Sequence, residues 1–171
     1  EPVEVSEMIK NIYSQYLVIA NNKNINLSIK DFIDNVYVNA NKEMLNEIIS
    51  NLIENAIKYT ERGGVTIYNE FADDEYILSI QDTGIGIPDN SKDLIFEAFI
   101  QAEGLLETSG GIGLGLTLAK KYTESLGGKI WFESLINKGT TFHLSLRLVN
   151  ELEKPAAIQV SEIPIKVEIK E

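Results

Sequence analysis

Residues 43–81, EMLNEIISNLIENAIKYTERGGVTIYNEFADDEYILSIQ, change their hydrophobic period partway along. Up to Tyr59 the apolar side chains recur at helical spacing. At about 100° per residue, Leu45, Ile48, Ile49, Leu52, Ile53, Ala56 and Ile57 cover one broad face. After the turn signal TERGG, the runs VTIYNEF and EYILSIQ read as the strands of a hairpin joined around Asp73 and Asp74. A long amphipathic helix beside a hairpin points to a helix layer and a sheet layer that cover each other's apolar faces.

The flanking sequence repeats the theme. Residues 6–22 carry Met8, Ile9, Ile12, Tyr16, Leu17 and Ile19 at helical spacing, and the short runs NLSIK and VYVN read as strands. After DTGIGIP comes a loop-rich stretch to Gly113, broken by the apolar piece LIFEAF. Residues 114–126 read as a helix stopped by Gly127 and Gly128. KIWFESL and TTFHLSLRLV close the domain as two strands. The element order is helix, strands, helix, hairpin, loop, helix, hairpin. That is an α+β, two-layer arrangement and not a doubly wound parallel sheet. The expected domain spans residues 1–150. Residues 151–171, with two of the four prolines and mixed charge, read as a C-terminal linker or tail, although IPIKVEIK alternates like an added edge strand.

The bulk numbers bound the function. A chain of 171 residues fits one domain with a real core. A net charge of -11 argues against non-specific binding to nucleic acid or anionic membranes. It still allows an anionic ligand held by backbone amides and a metal ion. The absence of cysteine rules out disulfides and thiolate metal sites. No segment approaches the roughly 20 apolar residues of a membrane span, and EPVEVSEMIK lacks the zones of a signal peptide. The single histidine, His143, lies in TTFHLSLRL on the face opposite Phe142, Leu144 and Leu146, and reads as a partly exposed strand residue. Catalytic triads and histidine-rich metal sites are closed to this chain.

Three stretches carry candidate chemistry. On the helix before Tyr59, Glu47, Asn51, Glu54, Asn55 and Lys58 cluster opposite the apolar face. A solvated face is one reading. Asparagine is costly in mid-helix, so Asn51 and Asn55 one turn apart also suit a carboxamide ligand for Mg²⁺, with Lys58 near a phosphate. In LSIQDTGIGIPD, Asp82 ends a strand above Gly84 and Gly86. It suits an acceptor for an exocyclic amine such as that of adenine, or a tight turn in which Asp82 bonds its own backbone. In SGGIGLGLTLAK, Gly110, Gly111, Gly113 and Gly115 feed a helix start, which can present amides to an anion or simply act as a hinge or connector. No Gly-Lys-Ser/Thr follows, so this is not a Walker loop.

Taken together and in order, NLIENAIKYT resembles the N box, DTGIGIP the G1 box, IFEAF the F box, GGIGLGL the G2 box and KGTTF the last glycine-threonine box. These belong to the catalytic, ATP-binding domain of sensor histidine kinases, within the superfamily shared with gyrase, Hsp90 and MutL. The resemblance spans about residues 3 to 149. It implies a Bergerat-type α/β sandwich in which a mixed five-stranded sheet backs onto three helices, with ATP·Mg²⁺ between helices and a lid. By the same resemblance, Asn55 is the Mg²⁺ ligand, Asn51 lines the phosphate site, and Lys58 and Tyr59 lie near phosphate and nucleotide. Asp82 takes the adenine amino group in a pocket shaped by Gly84, Gly86 and Ile87. Phe96 and Phe99 anchor the lid formed by the residues between Phe99 and Gly110. Gly111, Gly113, Leu114, Gly115 and Leu116 wrap the phosphates, and Thr140 lies near the adenine.

The resemblance further implies a cytoplasmic domain whose partners are a histidine-bearing dimerisation domain and a response-regulator receiver domain, with no nucleic acid and no direct membrane contact. ATP-hydrolysing branches of the superfamily carry glutamate where this chain has Asn51, which favours phosphoryl transfer to a protein histidine. The acceptor segment is not in this chain, and His143 is in the wrong place to replace it. The lid, IQAEGLLETSGG, departs from many relatives in lacking a basic residue. It carries Glu103 and Glu107, with Leu105 and Leu106 between them. A nucleotide-binding regulatory module and an ATP-hydrolysing clamp stand as alternatives.

Overall fold

The structure, a computed structural model, describes residues 1–97 and 114–150. A short strand β1 (Pro2–Glu4) leads into α1 (Val5–Asn22), β2 (Asn26–Ile29) and β3 (Tyr37–Asn39). The chain continues through α2 (Lys42–Lys58), β4 (Gly64–Ala72), β5 (Glu75–Asp82) and a single 3₁₀ turn, Asp89–Ser91. It ends with α3 (Gly115–Ser125), β6 (Lys129–Leu135) and β7 (Gly139–Arg147).

Five strands form one mixed sheet in the order β2-β4-β5-β7-β6, with β2 parallel to β4 and the other pairs antiparallel. The three helices form the second layer. α1 packs on α2 and β2, α2 also packs on β4, β5 and α3, and α3 packs on β6. This is the expected two-layer α+β sandwich.

The α2 stripe explains the layering. Leu45, Ile48, Ile49, Leu52, Ile53, Ala56 and Ile57 are all buried. They meet the inward side chains of the sheet, among them Val65, Ile67, Leu78, Ile80, Phe142 and Leu144. Burying each large aliphatic side chain contributes about 1.5–3 kcal/mol. Both long helices are capped by side chains: Glu4 accepts from the Ser6 and Glu7 amides, and Asn41 from the Met44 amide. Helix α3 ends with the Gly127 and Gly128 amides bonded back to Glu124 and Thr123.

One feature differs from the sequence reading. β1 pairs antiparallel with β3 in a second, two-stranded sheet. Three residues are too few to show an alternation. His143 lies, as expected, on the face of the sheet away from the helices and is partly exposed, its side chain at 12 %. Trp131, its partner across β6 and β7, stacks on the imidazole with ring centroids 5.1 Å apart. Nδ1 lies 2.8 Å from the Ser79 hydroxyl. The Nε2 atom is buried without a hydrogen-bond partner.

Candidate functional site

Where β5 ends, the fold gathers the G1 loop, the end of α2 and the β6–β7 turn around one carboxylate. Asp82 is 7 % exposed. Its Oδ1 accepts the Gly84 amide at 2.8 Å and the Thr140 amide at 3.1 Å. Oδ2 makes no hydrogen bond among the described residues. Burial raises the Asp82 pKa above its usual value, and the Gly84 and Thr140 amides pull it back part of the way. One carboxylate oxygen is thus fixed by the backbone while the other is left to accept a ligand's donor.

Two glycines make this packing possible. A Cβ on Gly84 would lie 2.3 Å from the Tyr59 carbonyl oxygen, so only glycine lets the loop approach the end of α2. Gly86 has φ +71° and runs equally close to the Leu135 carbonyl. The loop is then tied down by the Ile85 amide on the Tyr59 carbonyl and the Asn137 amide on the Ile85 carbonyl. Ile87, nearly buried, donates its amide to the Ser134 hydroxyl at 2.8 Å.

The polar face of α2 divides into two. Ser50, Glu54 and Glu47 turn towards Tyr16 of α1. Burial, followed by the Glu54 and Glu47 carboxylates, pushes its phenol above the usual value. Asn51, Asn55 and Lys58 are half-buried on the side that meets α3. The Asn51 Oδ1 lies 3.3 Å from where a Cβ on Gly115 would stand, so the start of α3 rests against this row. Asn51 Nδ2 reaches Glu47 at 3.4 Å, whereas the Asn55 side chain has no partner among the described residues. Lys58 makes no ion pair among them, and its ammonium sits 5.3 Å from the Tyr59 ring centre. Lys23 caps this end of α2, donating to the Ile57 and Lys58 carbonyls at 2.7 and 2.8 Å.

Beyond the G1 loop, Phe96 is set into an aromatic cluster with Phe132 and Phe142, at centroid distances of 6.0 and 6.3 Å. The Lys120 ammonium of α3 lies 5.6 Å from the same ring. Leu116 packs on the core and Leu114 is exposed at the α3 N-terminus. Phe99, Gly111 and Gly113 lie outside the described residues, as do Glu103, Leu105, Leu106, Glu107 and residues 151–171. The structure therefore brings Asp82, Gly84, Gly86, Ile87, Tyr59 and Thr140 together, and sets Asn51 beside Gly115. Ser134, Lys92 and Lys23 were missed by the sequence reading. Lys92 pairs with Asp89 and donates to the Ser134 carbonyl at 2.9 Å.

An acceptor carboxylate at a strand end and a helix N-terminus beside a row of carboxamides offer acceptors and donors of the kinds that a base joined to phosphates needs. Residues 40–150 match the family of histidine kinase-, DNA gyrase B- and HSP90-like ATPases. The chain belongs to that family. Among relatives of this ATPase family, the autoinducer 2 sensor kinase/phosphatase LuxQ of Vibrio vulnificus (strain YJ016) is 47 % identical over 109 residues. That match covers 60 % of this chain and 13 % of LuxQ, so the chain spans a small part of its curated relative. The solved catalytic domain of histidine kinase ThkA superposes with a TM-score of 0.76 at 28 % identity, covering 86 % of this chain and 94 % of that one. Full-length ShkA in complex with AMPPNP superposes with a TM-score of 0.75 at 25 % identity, covering 88 % of this chain and 31 % of ShkA. The described residues are a histidine kinase-type, ATP-binding ATPase domain.

The donor set also fits Mg²⁺. Among the described residues no three carboxylates, histidines or cysteines cluster as a metal cage. Magnesium commonly takes one or two protein oxygens plus substrate phosphates, and the unpartnered Asn55 carboxamide offers such an oxygen.

Proposed function

We propose that this domain binds ATP with Mg²⁺ and donates the γ-phosphoryl group to a histidine of a dimerisation domain, from which a response-regulator receiver domain takes it. The observation that carries this reading is the side chain at position 51. One turn before Asn55, beside the first residue of α3, stands a carboxamide and not a carboxylate. An amide is a poor base for activating water, so the site favours positioning a phosphoryl group for transfer.

Each residue then has a task. Asp82 Oδ2 accepts the adenine amino group. Gly84, Gly86, Ile87, Tyr59 and Thr140 wall the base. Asn51, Lys58 and the start of α3 at Leu114, Gly115 and Leu116 surround the phosphates, joined by Gly111 and Gly113. Asn55 holds Mg²⁺, which when bound neutralises phosphate charge. Phe96, with Phe99, anchors the lid. In transfer, the bond from the γ-phosphorus to the bridging oxygen breaks, a bond to the acceptor imidazole nitrogen forms, and ADP leaves. Among the described residues no helix is long and apolar enough to cross a membrane. The domain works on the cytoplasmic side, where ATP is available.

The test is to incubate the chain with γ-labelled ATP and the dimerisation domain of its parent. Acid-labile label on the partner is expected. Tight ATP binding without phosphohistidine would instead make this a regulatory module. Rapid ATP turnover by the chain alone would make it a hydrolysing clamp and overturn the role given to Asn51.

A further inference from the structure

The C-terminal end of α2 and the G1 loop are locked to one another. Lys58 and Tyr59 follow in succession there, and the Tyr59 carbonyl accepts the Ile85 amide at 3.3 Å. The fit leaves no slack: a Cβ on Gly84 would lie 2.3 Å from that carbonyl oxygen and 2.9 Å from Asp82 Oδ1. A shift of the helix end therefore moves the loop whose Gly84 amide holds Asp82.

Carbonyls at the end of a helix run out of partners within it. In α2 the Tyr59 amide takes the Asn55 carbonyl at 3.0 Å and the Thr60 hydroxyl takes that of Ala56 at 2.7 Å. The Thr60 amide reaches Ile57 only at 3.4 Å. The Ile57 and Lys58 carbonyls instead receive Lys23 Nζ, at 2.7 and 2.8 Å. Lys23 is the C-cap of α1, with its own amide bonded to the Ile19 and Ala20 carbonyls, so an anchored backbone carries the ammonium. Burial lowers the Lys23 pKa, opposed by the Glu61 carboxylate. The two carbonyls and the negative end of the helix dipole offset that loss of hydration.

We propose that Lys23 is a positioning residue for the nucleotide site: its ammonium holds the last turn of α2, and through the Tyr59 carbonyl the G1 loop, in the arrangement that binds ATP. Without it the last turn frays, and Lys58, Tyr59 and the loop lose their common footing. This inference rests on the nucleotide lying between the G1 loop and the end of α2. Lys23 acts on it through backbone carbonyls.

The test measures ATP·Mg²⁺ affinity by calorimetry and single-amide hydrogen exchange by NMR, both on the full chain. Lys23→Met keeps an unbranched stem and removes the donors. Its Kd for ATP should rise about tenfold. In the nucleotide-free chain its Ile85 amide should exchange at least about tenfold faster relative to the Leu78 amide in the core of β5. Lys23→Arg, which keeps the charge and offers two donors to the two carbonyls, should hold both readouts within about threefold of wild type. Asn69→Ala is the control for lost stability alone. Asn69 bonds Ile33 and Tyr76 and lies on β4 well along from Val65, the partner of Asp82. That variant should lower Tm while leaving ATP affinity and the exchange ratio within about twofold. Either readout unchanged in Lys23→Met overturns the proposal, as does an equal change in Asn69→Ala. Should Lys23→Met not fold, Lys23→Gln, whose shorter amide is a weaker donor, is read by the same two measurements. A wild-type chain that binds no ATP is a separate outcome: it removes the nucleotide reading itself, while the exchange ratio still reports on Lys23.

Discussion

Replacing Asp82 by asparagine changes one oxygen to nitrogen at the centre of the base site. Oδ1 accepts two backbone amides, from Gly84 and Thr140. The asparagine oxygen must take that position, because turning the amide round would point its N–H₂ at two N–H donors. The nitrogen then stands where Oδ2 stood and offers a donor to the donor amine of adenine. The loss combines a charge-assisted hydrogen bond with a mismatched donor, together about 2–3 kcal/mol, or roughly a 30- to 150-fold weaker Kd for ATP. Apo stability should not fall, because the substitution removes a buried charge whose desolvation raises its pKa. Calorimetry with ATP·Mg²⁺ and a thermal melt of the same samples measure both. Unchanged ATP affinity, or a weaker affinity accompanied by a collapse in Tm, would refute the reasoning.

The same carboxylate sets a pH dependence. Its folded pKa is raised, so between the usual carboxylate value and that raised value the folded state binds more protons than the unfolded one, and Asp82's contribution to stability falls as pH rises through that window. Denaturant unfolding against pH should show this slope in wild type and lose it in Asp82→Asn, while ATP affinity in wild type falls as pH drops through the same window. Asn55→Ala should leave metal-free ATP binding within about twofold and abolish most of the gain on adding Mg²⁺, read by paired titrations with Mg²⁺ and with EDTA. Gly86→Ala must place a Cβ 2.3 Å from the Leu135 carbonyl at φ +71°, and should cost more than about 1 kcal/mol in denaturant unfolding.

Periodicity alone located the core of this fold. The seven α2 residues assigned to one face are the seven that are buried, because a helical stripe facing a sheet has no other use for that many aliphatics. Asp82 was visible because a strand end before DTG places a carboxylate beside glycines. Ser134 was not visible. It sits in the alternation of KIWFESL like any polar strand residue, and its partner Ile87 is 47 positions away. Lys23 was hidden for the same reason: its carbonyl partners lie 34 and 35 residues downstream, and nothing local marks a lysine as a cap for another helix. The split of the α2 polar face depended on where α1 crosses, which no single helix encodes.

The stacked pair on the far side of the sheet has a practical use in labelling work. The chain's only imidazole has one nitrogen against Ser79 and the other sealed from solvent. Neither nitrogen has a lone pair open to an incoming phosphorus. Acid-labile counts recovered from a mixture of this chain with a histidine-bearing partner are therefore expected on the partner, which separating the two polypeptides before counting checks.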